Sequence, residues 1–323
     1  MKRPLIIVTG PTAVGKTSLS IDLAQAVNGE IISADSMQVY RHMDIGSAKV
    51  TQKEKKGVPH HLIDVLEPDE DFNVTIFQSM AKKAMEGIYD RGHIPIVAGG
   101  TGFYIQALIY DIDFKENDKS LAVRHELEAL CEERGNEYVH EILRMADPEA
   151  ARQIHANNRK RMIRAIEYYR MTGEPISRHN EEERKKESPY QFWYFVLNCD
   201  RARLYERIDQ RVDSMMDAGL VDEVNRLRDM GCRRGMVSMQ GLGYKEILDY
   251  LDGKWELEEA VRVLKRDTRH FAKRQLTWFR RERGVKWVEL ERFGFDREKV
   301  LEYIMEELER GSDNSFELLQ QKE

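Results

Sequence analysis

Apolar residues fall along the chain in two rhythms. Short runs at Leu5–Val8 and Ile94–Ala98 have the make-up of buried parallel strands, Glu30–Ala34 reads as a further short strand, and apolar strand character returns at Phe192–Leu197. Between them, apolar residues three or four apart predict helices. One covers 17–27, with Leu19, Leu23 and Ala26 on one side; another covers 77–89 through Phe77, Ala81, Ala84 and Ile88 and ends at Gly92. Met37 to Met43 has no clear period, and 53–56 reads as a charged turn or solvated helix end. From 117 to 187 the pattern changes. Charged helical segments at 121–133, 138–145, 148–154 and 159–171 are punctuated by Gly135, Gly173 and Pro175, and the charge run 181–187 reads as solvated loop or helix end. Strand character then returns, so a helical insertion between strands of one sheet explains the order better than tandem domains. The expectation is an α/β parallel-sheet core from 1–116 and 188–310, a helical insertion at 117–187, and a disordered polar tail at 311–323.

The first strand runs into Gly10-Pro11-Thr12-Ala13-Val14-Gly15-Lys16-Thr17, which fits G-x-x-x-x-G-K-[ST], and a helical pattern follows. Strand, glycine loop and helix come in the order a phosphate cradle needs: backbone N–H groups at a helix N-terminus attract an anion. Lys16 adds a point charge and the Thr17 hydroxyl can hold Mg²⁺; the alternative is a chance glycine turn. Asp35 and Ser36 follow the second strand, where ligands gather in open α/β sheets, although Asp35 also suits a simple Asx turn or helix cap. A second glycine turn, Gly99 to Gly102, follows the third apolar run and carries Thr101, a plausible hydroxyl contact or part of a plain strand-to-helix turn.

Composition narrows the class. The 323 residues carry a net charge of −6, with 41% hydrophobic and 33% charged residues, as expected of a soluble globular chain of about two domains. No run of about 18 apolar residues exists, and the N-terminus enters a strand directly, so a cytoplasmic protein without membrane contact is expected. Cys131, Cys199 and Cys232 lack C-x-x-C spacing, which argues against structural zinc and a disulfide framework. His60 and His61, adjacent in a strand, point to opposite faces and make a poor ligand pair.

Two basic patterns stand out against the acidic total. Arg203, Arg207 and Arg211 repeat every four residues: they either pair with Glu206, Asp209 and Asp213 or form a cationic lid over the phosphate site. Arg262, Arg266, Arg269, Lys273 and Arg280 make one helical stripe with few acids beside it, which suits a phosphate-bearing partner or an ordinary solvated helix. Leu264, Phe271 and Trp278 fall at heptad spacing and should pack inward. Gln240 to Lys245 is a glycine-punctuated loop opening a further helix.

Polyphosphate sites serve small-molecule kinases, nucleotide switches or motors, and transferases with a diphosphate leaving group. The chain has no N-K-x-D base-reading motif and no hydrophobic run ending in Asp-Glu, which weakens the switch and motor readings. An ATP-dependent small-molecule kinase stays open as the alternative. A kinase of a small metabolite needs neither a helical insertion nor basic stripes.

The ordered blocks GPTAVGKT, ISADSMQVYRHMDIGSAK, VPHHLIDV, IVAGGTGFY, NRKRMIRAIEYYRMTGEPIS, ERIDQRVDSMMDAGLVDEV, GLGYKEILDYL and TRHFAKRQLTWFR resemble the bacterial tRNA dimethylallyltransferase (isopentenyl-diphosphate:tRNA transferase) family. The resemblance runs from Leu5 to about Trp287; the zinc-finger cysteines of eukaryotic relatives are missing. It implies a P-loop NTPase-like, nucleoside-kinase-like core. It also implies transfer of a dimethylallyl group from dimethylallyl diphosphate to the exocyclic amine of the adenosine 3′ of the anticodon, with release of diphosphate. On this resemblance the loop Gly10–Thr17, with Lys16, Arg207, Arg211 and a Thr17-bound Mg²⁺, holds diphosphate, and a motif-based ATP-binding label would miss the chemistry. Asp35 is the general base, and Thr101 and Lys16 assist catalysis. The tRNA anticodon stem-loop would meet Asp35, Ser36, Met37, Gln38, Thr101, Arg124, Lys160, Arg161, Met162, Ile163, Arg164, Met239, Gln240, Gly241, Leu242, Gly243 and Tyr244. The enzyme is expected to act as a monomer.

Overall fold

A computed structural model describes residues 2–114 and 120–311. The first apolar run forms β1 (Arg3–Thr9), buried at every position after Arg3. Then follow α1 (Lys16–Ala26), β2 (Gly29–Ala34), the short α2 (Gln52–Lys55), β3 (His60–His61), α3 (Val74–Asp90), β4 (Ile94–Gly99) and α4 (Gly102–Ile109). Five helices come next: α5 (Ser120–Arg134), α6 (Asn136–Ala146), α7 (Pro148–Gln153), α8 (Arg159–Thr172) and α9 (Ile176–Lys185). The chain ends with β5 (Tyr190–Asn198), α10 (Arg201–Asp217), α11 (Leu220–Asp229), α12 (Tyr244–Leu251), α13 (Leu257–Phe279), β6 (Val285–Glu289) and α14 (Arg297–Arg310). It divides into two compact units, Met1–Ile109 with Pro189–Glu323, and Tyr110–Ser188. The boundary expected between 116 and 117, and the tail expected after Gly311, lie outside the described residues.

In the first unit the six strands form one sheet in the order β3-β2-β4-β1-β5-β6, parallel throughout. Ile6 pairs with Ile96 on one side of β1 and with Trp193 on the other, so the most apolar strands lie at the centre. One face packs Ile6, Val8, Ile96 and Phe195 against Leu19 and Leu23 of α1 and Ile304 and Leu308 of α14. On α1, Ala26 is exposed, whereas Ser20, Ile21 and Ala24 are buried: the helix is covered by β2, β4 and α14, a wider face than the predicted stripe. The strand β6 has no counterpart in the sequence reading. It is a sheet edge paired only with β5, its sequence VKWVE is charged, and it is largely half-buried.

In the second unit, Leu127, Val139, Leu143, Met162, Ile163 and Ile166 form a small core among the helices. The charge run 181–187 begins inside α9, which starts at Ile176 and carries the pairs Arg178–Glu182 (3.1 Å) and Lys185–Glu181 (2.7 Å). Asp147 fixes its start, accepting from the Ser177 N–H at 2.9 Å and hydroxyl at 2.7 Å. The helix was not legible because it is polar nearly all round.

On α13 the heptad reading needs correction. The fully buried side chains are Ala260, Val263, Leu264, Thr268, Ala272, Gln275 and Phe279; Phe271 and Trp278 are half-buried. The buried face follows the 3.6-residue period of a straight helix, not a strict seven. Among the described residues no helix is long and apolar enough to cross a membrane, and all three cysteines are buried and free.

Candidate functional site

The carboxyl ends of β1, β2 and β4 deliver three segments to one place. After β1, Gly10 adopts φ +146°, and a Cβ there would stand 2.4 Å from the Leu197 carbonyl oxygen, so the turn requires glycine. Ala13 (φ +64°) and Gly15 (φ +107°) complete a left-handed turn at the start of α1. Lys16 folds back, its Nζ donating to the carbonyls of Gly10 (3.0 Å) and Pro11 (2.8 Å). Burial, and then the Arg211 guanidinium, push the Lys16 ammonium down to about 7, against the pull of Asp35. An anion in the loop would restore its charge.

After β2, Asp35 Oδ1 accepts the N–H groups of Met37 (2.8 Å) and Gln38 (3.4 Å). The Asx turn foreseen as the plain alternative is therefore present, yet Oδ2 has no protein partner among the described residues. Asp35 to Gln38 are all half-buried. Gln38 takes the Ser33 hydroxyl at 3.1 Å. After β4, the Thr101 N–H donates to the Ala34 carbonyl (3.2 Å), beside Asp35. Lys16, Thr17, Asp35, Gln38, Gly100, Arg207 and Arg211 line one cavity of about 1230 Å³. Thr101 adjoins this lining.

The arginine triplet splits. Arg207 Nε donates to the Ala13 carbonyl (2.8 Å), tying α10 to the phosphate loop. Arg211 is half-buried, and desolvation lowers its pKa although Asp35 opposes this. Arg203 stacks over the Phe295 ring at 3.5 Å. Asp209 turns to Arg269 (2.7 and 2.8 Å) and Asp213 to Lys265 (2.6 Å), so neither acid serves the triplet. The supposed acid-poor stripe is corrected by the same pairings: Arg269 holds Asp209, Arg262 holds Glu259 and Arg266 holds Asp267. Lys273 and Arg280 are exposed and without an ion pair among the described residues.

The residues implied for tRNA divide as well. Lys160 and Arg161 are exposed at the start of α8. Arg124 (3.0 Å) and Arg164 (3.3 Å) both hold the buried carboxylate of Glu167. Met162 and Ile163 are buried in the insertion core, and Met239 and Tyr244 are buried in the first unit; these four pack inside the protein and offer no surface to RNA. Gly241 and Gly243 are buried, Leu242 is half-buried and Gln240 is exposed.

The sequence reading missed Gln275 and Glu223. Gln275 bonds the phosphate loop and the second glycine turn, and Glu223 accepts three backbone N–H groups at Asp44, Ile45 and Gly46. The available signal for Gln275 was a polar residue within the apolar face of α13.

Among the described residues no group of three or more His, Cys, Asp or Glu could hold a metal. His61 donates to Glu30 (2.6 Å), while His60 Nδ1 lies 2.8 Å from the Val58 carbonyl oxygen. Thr17 is exposed and lines the cavity together with Asp35, a sparse oxygen set that fits a hard cation completing its shell with phosphate oxygens and water.

A glycine loop, half-buried cations and a carboxylate, gathered at the carboxyl ends of a parallel sheet, define a P-loop NTPase-like α/β enzyme. The chain belongs to the IPP transferase family, whose model matches residues 38–282, and an isopentenyl transferase model matches residues 3–67. It is 61% identical over 302 residues to the tRNA dimethylallyltransferase of Lachnoclostridium phytofermentans, covering 94% of this chain and 96% of that one. It is 50% identical to the tRNA dimethylallyltransferase of Alkaliphilus oremlandii, covering 98% of this chain and all of that one (100%). Among solved structures, the tRNA isopentenylpyrophosphate transferase of Bacillus halodurans matches with a TM-score of 0.71 and 44% identity over 96% of this chain and 98% of that one. A eukaryotic dimethylallyltransferase acting on tRNA matches with a TM-score of 0.75 and 31% identity, over 89% of this chain and 74% of that one.

Proposed function

We propose that the enzyme moves a dimethylallyl group from dimethylallyl diphosphate to the exocyclic amine of the adenosine 3′ of the anticodon in tRNA, releasing diphosphate. The observation that carries this reading is that the phosphate loop and a carboxylate oxygen without a protein partner face the same cavity. The loop N–H groups, Lys16, Arg207 and Arg211 hold the diphosphate and stabilise the charge that grows on it as the C–O bond breaks. A Mg²⁺ held by Thr17 would supply further neutralisation of that charge. Asp35 Oδ2 takes the proton from the amine as the new C–N bond forms; Oδ1, fixed by Met37 and Gln38, holds the carboxylate in orientation.

The adenosine must leave its stack to reach the carboxylate. Lys160 and Arg161 contact backbone phosphates and set the register of the anticodon stem. One copy of the chain carries every group named here, and we propose that it acts as a monomer. The kinase alternative is not favoured by the family. Incubation with undermodified tRNA and labelled dimethylallyl diphosphate, without ATP, should label the tRNA; unlabelled tRNA, or transfer that requires ATP, would overturn the proposal.

A further inference from the structure

Gln275 lies on the buried face of α13, where its neighbours Ala272 and Phe279 are apolar. Its amide is used at both ends. Oε1 accepts the N–H of Thr12 in the phosphate loop at 2.9 Å, and Nε2 donates to the carbonyl of Gly100 in the second glycine turn at 3.0 Å. The close approach depends on glycine: a Cβ at position 100 would stand 2.2 Å from Gln275 Nε2 and push the amide off this bond. The link continues. Gly100 precedes Thr101, whose N–H binds the Ala34 carbonyl next to Asp35. One side chain thus joins the loop that grips the donor to the segment that carries the base.

Among the described residues, every other hydrogen bond between these segments lies in the sheet itself, as where the Thr9 hydroxyl donates to the Gly99 carbonyl (2.7 Å). Beyond the strand ends, Gln275 is the bridge among the described residues. It also withdraws the Thr12 N–H from the set of loop donors free to meet an anion, and so fixes the loop's rotation at that point.

We infer that Gln275 is a positioning residue for the transfer: its amide sets the separation between the departing diphosphate and the Asp35 carboxylate. This rests on the function proposed above. A misplacement of about 1 Å between reacting groups can cost roughly 10²-fold in rate. Binding of either substrate alone is insensitive to that separation.

The experiment compares wild type with Gln275→Glu and Gln275→Met. Gln275→Glu keeps an acceptor for Thr12 but faces the Gly100 carbonyl with a carboxylate oxygen. Gln275→Met fills the space and makes neither bond. The readouts are single-turnover label transfer with both substrates saturating, and dissociation constants for inorganic diphosphate and for undermodified tRNA. Transfer should fall roughly 10- to 100-fold in both variants while the two dissociation constants stay within about threefold. For Gln275→Glu the rate relative to wild type should rise as pH falls, because the protonated carboxyl regains a donor for Gly100. A purely structural role does not produce that recovery. Transfer within twofold of wild type in both variants, a loss that tracks diphosphate affinity, or a flat pH ratio for Gln275→Glu overturns the inference and leaves the parent proposal standing. A wild type that labels no tRNA overturns the proposal and the inference with it.

Discussion

The Tyr244 hydroxyl donates to Glu223 Oε1 at 2.9 Å and accepts the Ser47 N–H at 3.1 Å. Glu223 in turn accepts the N–H groups of Asp44 (2.9 Å), Ile45 (2.8 Å) and Gly46 (3.0 Å). Together they pin the 44–47 segment, whose Asp44 and Ile45 line the cavity. Burial, and then Glu223, raise the Tyr244 phenol well above its ordinary pKa, so it stays a donor at any working pH. Tyr244 is a strut behind the site, not a surface for RNA. Tyr244→Phe leaves the Ser47 N–H unpaired and should cost about 1–3 kcal/mol, read as a lower urea midpoint, with tRNA affinity unchanged. Weakened tRNA binding at unchanged stability would return Tyr244 to the interface.

Glu30 makes acid stability predictable. Burial alone would push its carboxyl up, but hydrogen bonds from Arg91, His61 and His93 outweigh burial and hold it down to about 2. A carboxyl whose folded pKa is depressed stabilises the protein above its unfolded pKa, near 4.5, and that stability is lost as pH falls toward 2. The contribution is on the order of 3 kcal/mol. Urea midpoints measured between pH 5 and pH 2 should fall steeply in wild type. Glu30→Gln should start lower and show a shallower fall.

Lys16 couples anion binding to protons. In the free enzyme burial holds it at about 7, and a bound diphosphate raises it. Affinity for dimethylallyl diphosphate should therefore be full below pH 7, decline above it, and be accompanied by proton uptake on binding. Lys16→Arg stays charged throughout and should lack this component; calorimetry of both in paired buffers separates it from titration of the ligand. Equal proton uptake in the two would contradict the assignment.

Within α8, neighbouring residues should behave differently. Arg161 is exposed, so Arg161→Ala should raise the tRNA KM, leave the saturated rate nearly unchanged, and reduce the salt slope of binding by about 1. Met162 is fully buried in the insertion core, and Met162→Ala should cost about 2–5 kcal/mol of stability with the salt slope unchanged.

Several parts of this molecule are readable from the chain itself. Central strands β1, β4 and β5 carry apolar runs because both faces are covered, and the phosphate loop is contiguous in sequence. The edge strand β6 lacks that pattern since only β5 pairs with it. The polar helix α9 is held by ion pairs and by Asp147, features with no apolar period. At the site, Asp35 and the loop announce themselves by position after strands. Gln275 does not: its partners lie 263 and 175 residues away, and Glu223 reaches across 177 to 179. Cation stripes mislead for the same reason. The acids that neutralise Arg269 and Lys265 stand on α10, so a count of charges along α13 alone overstates its free charge.

The central claim is that Asp35 removes the amine proton while the phosphate loop holds the departing diphosphate. Its most direct measurement is the single-turnover rate of Asp35→Asn with dimethylallyl diphosphate and tRNA both saturating, alongside tRNA affinity. Asparagine keeps the Met37 and Gln38 bonds through its carbonyl oxygen but cannot take a proton. The account predicts a rate lowered roughly 10²–10⁴-fold with tRNA affinity within about twofold of wild type. A rate equal to wild type, or a loss explained wholly by weaker tRNA binding, would contradict it.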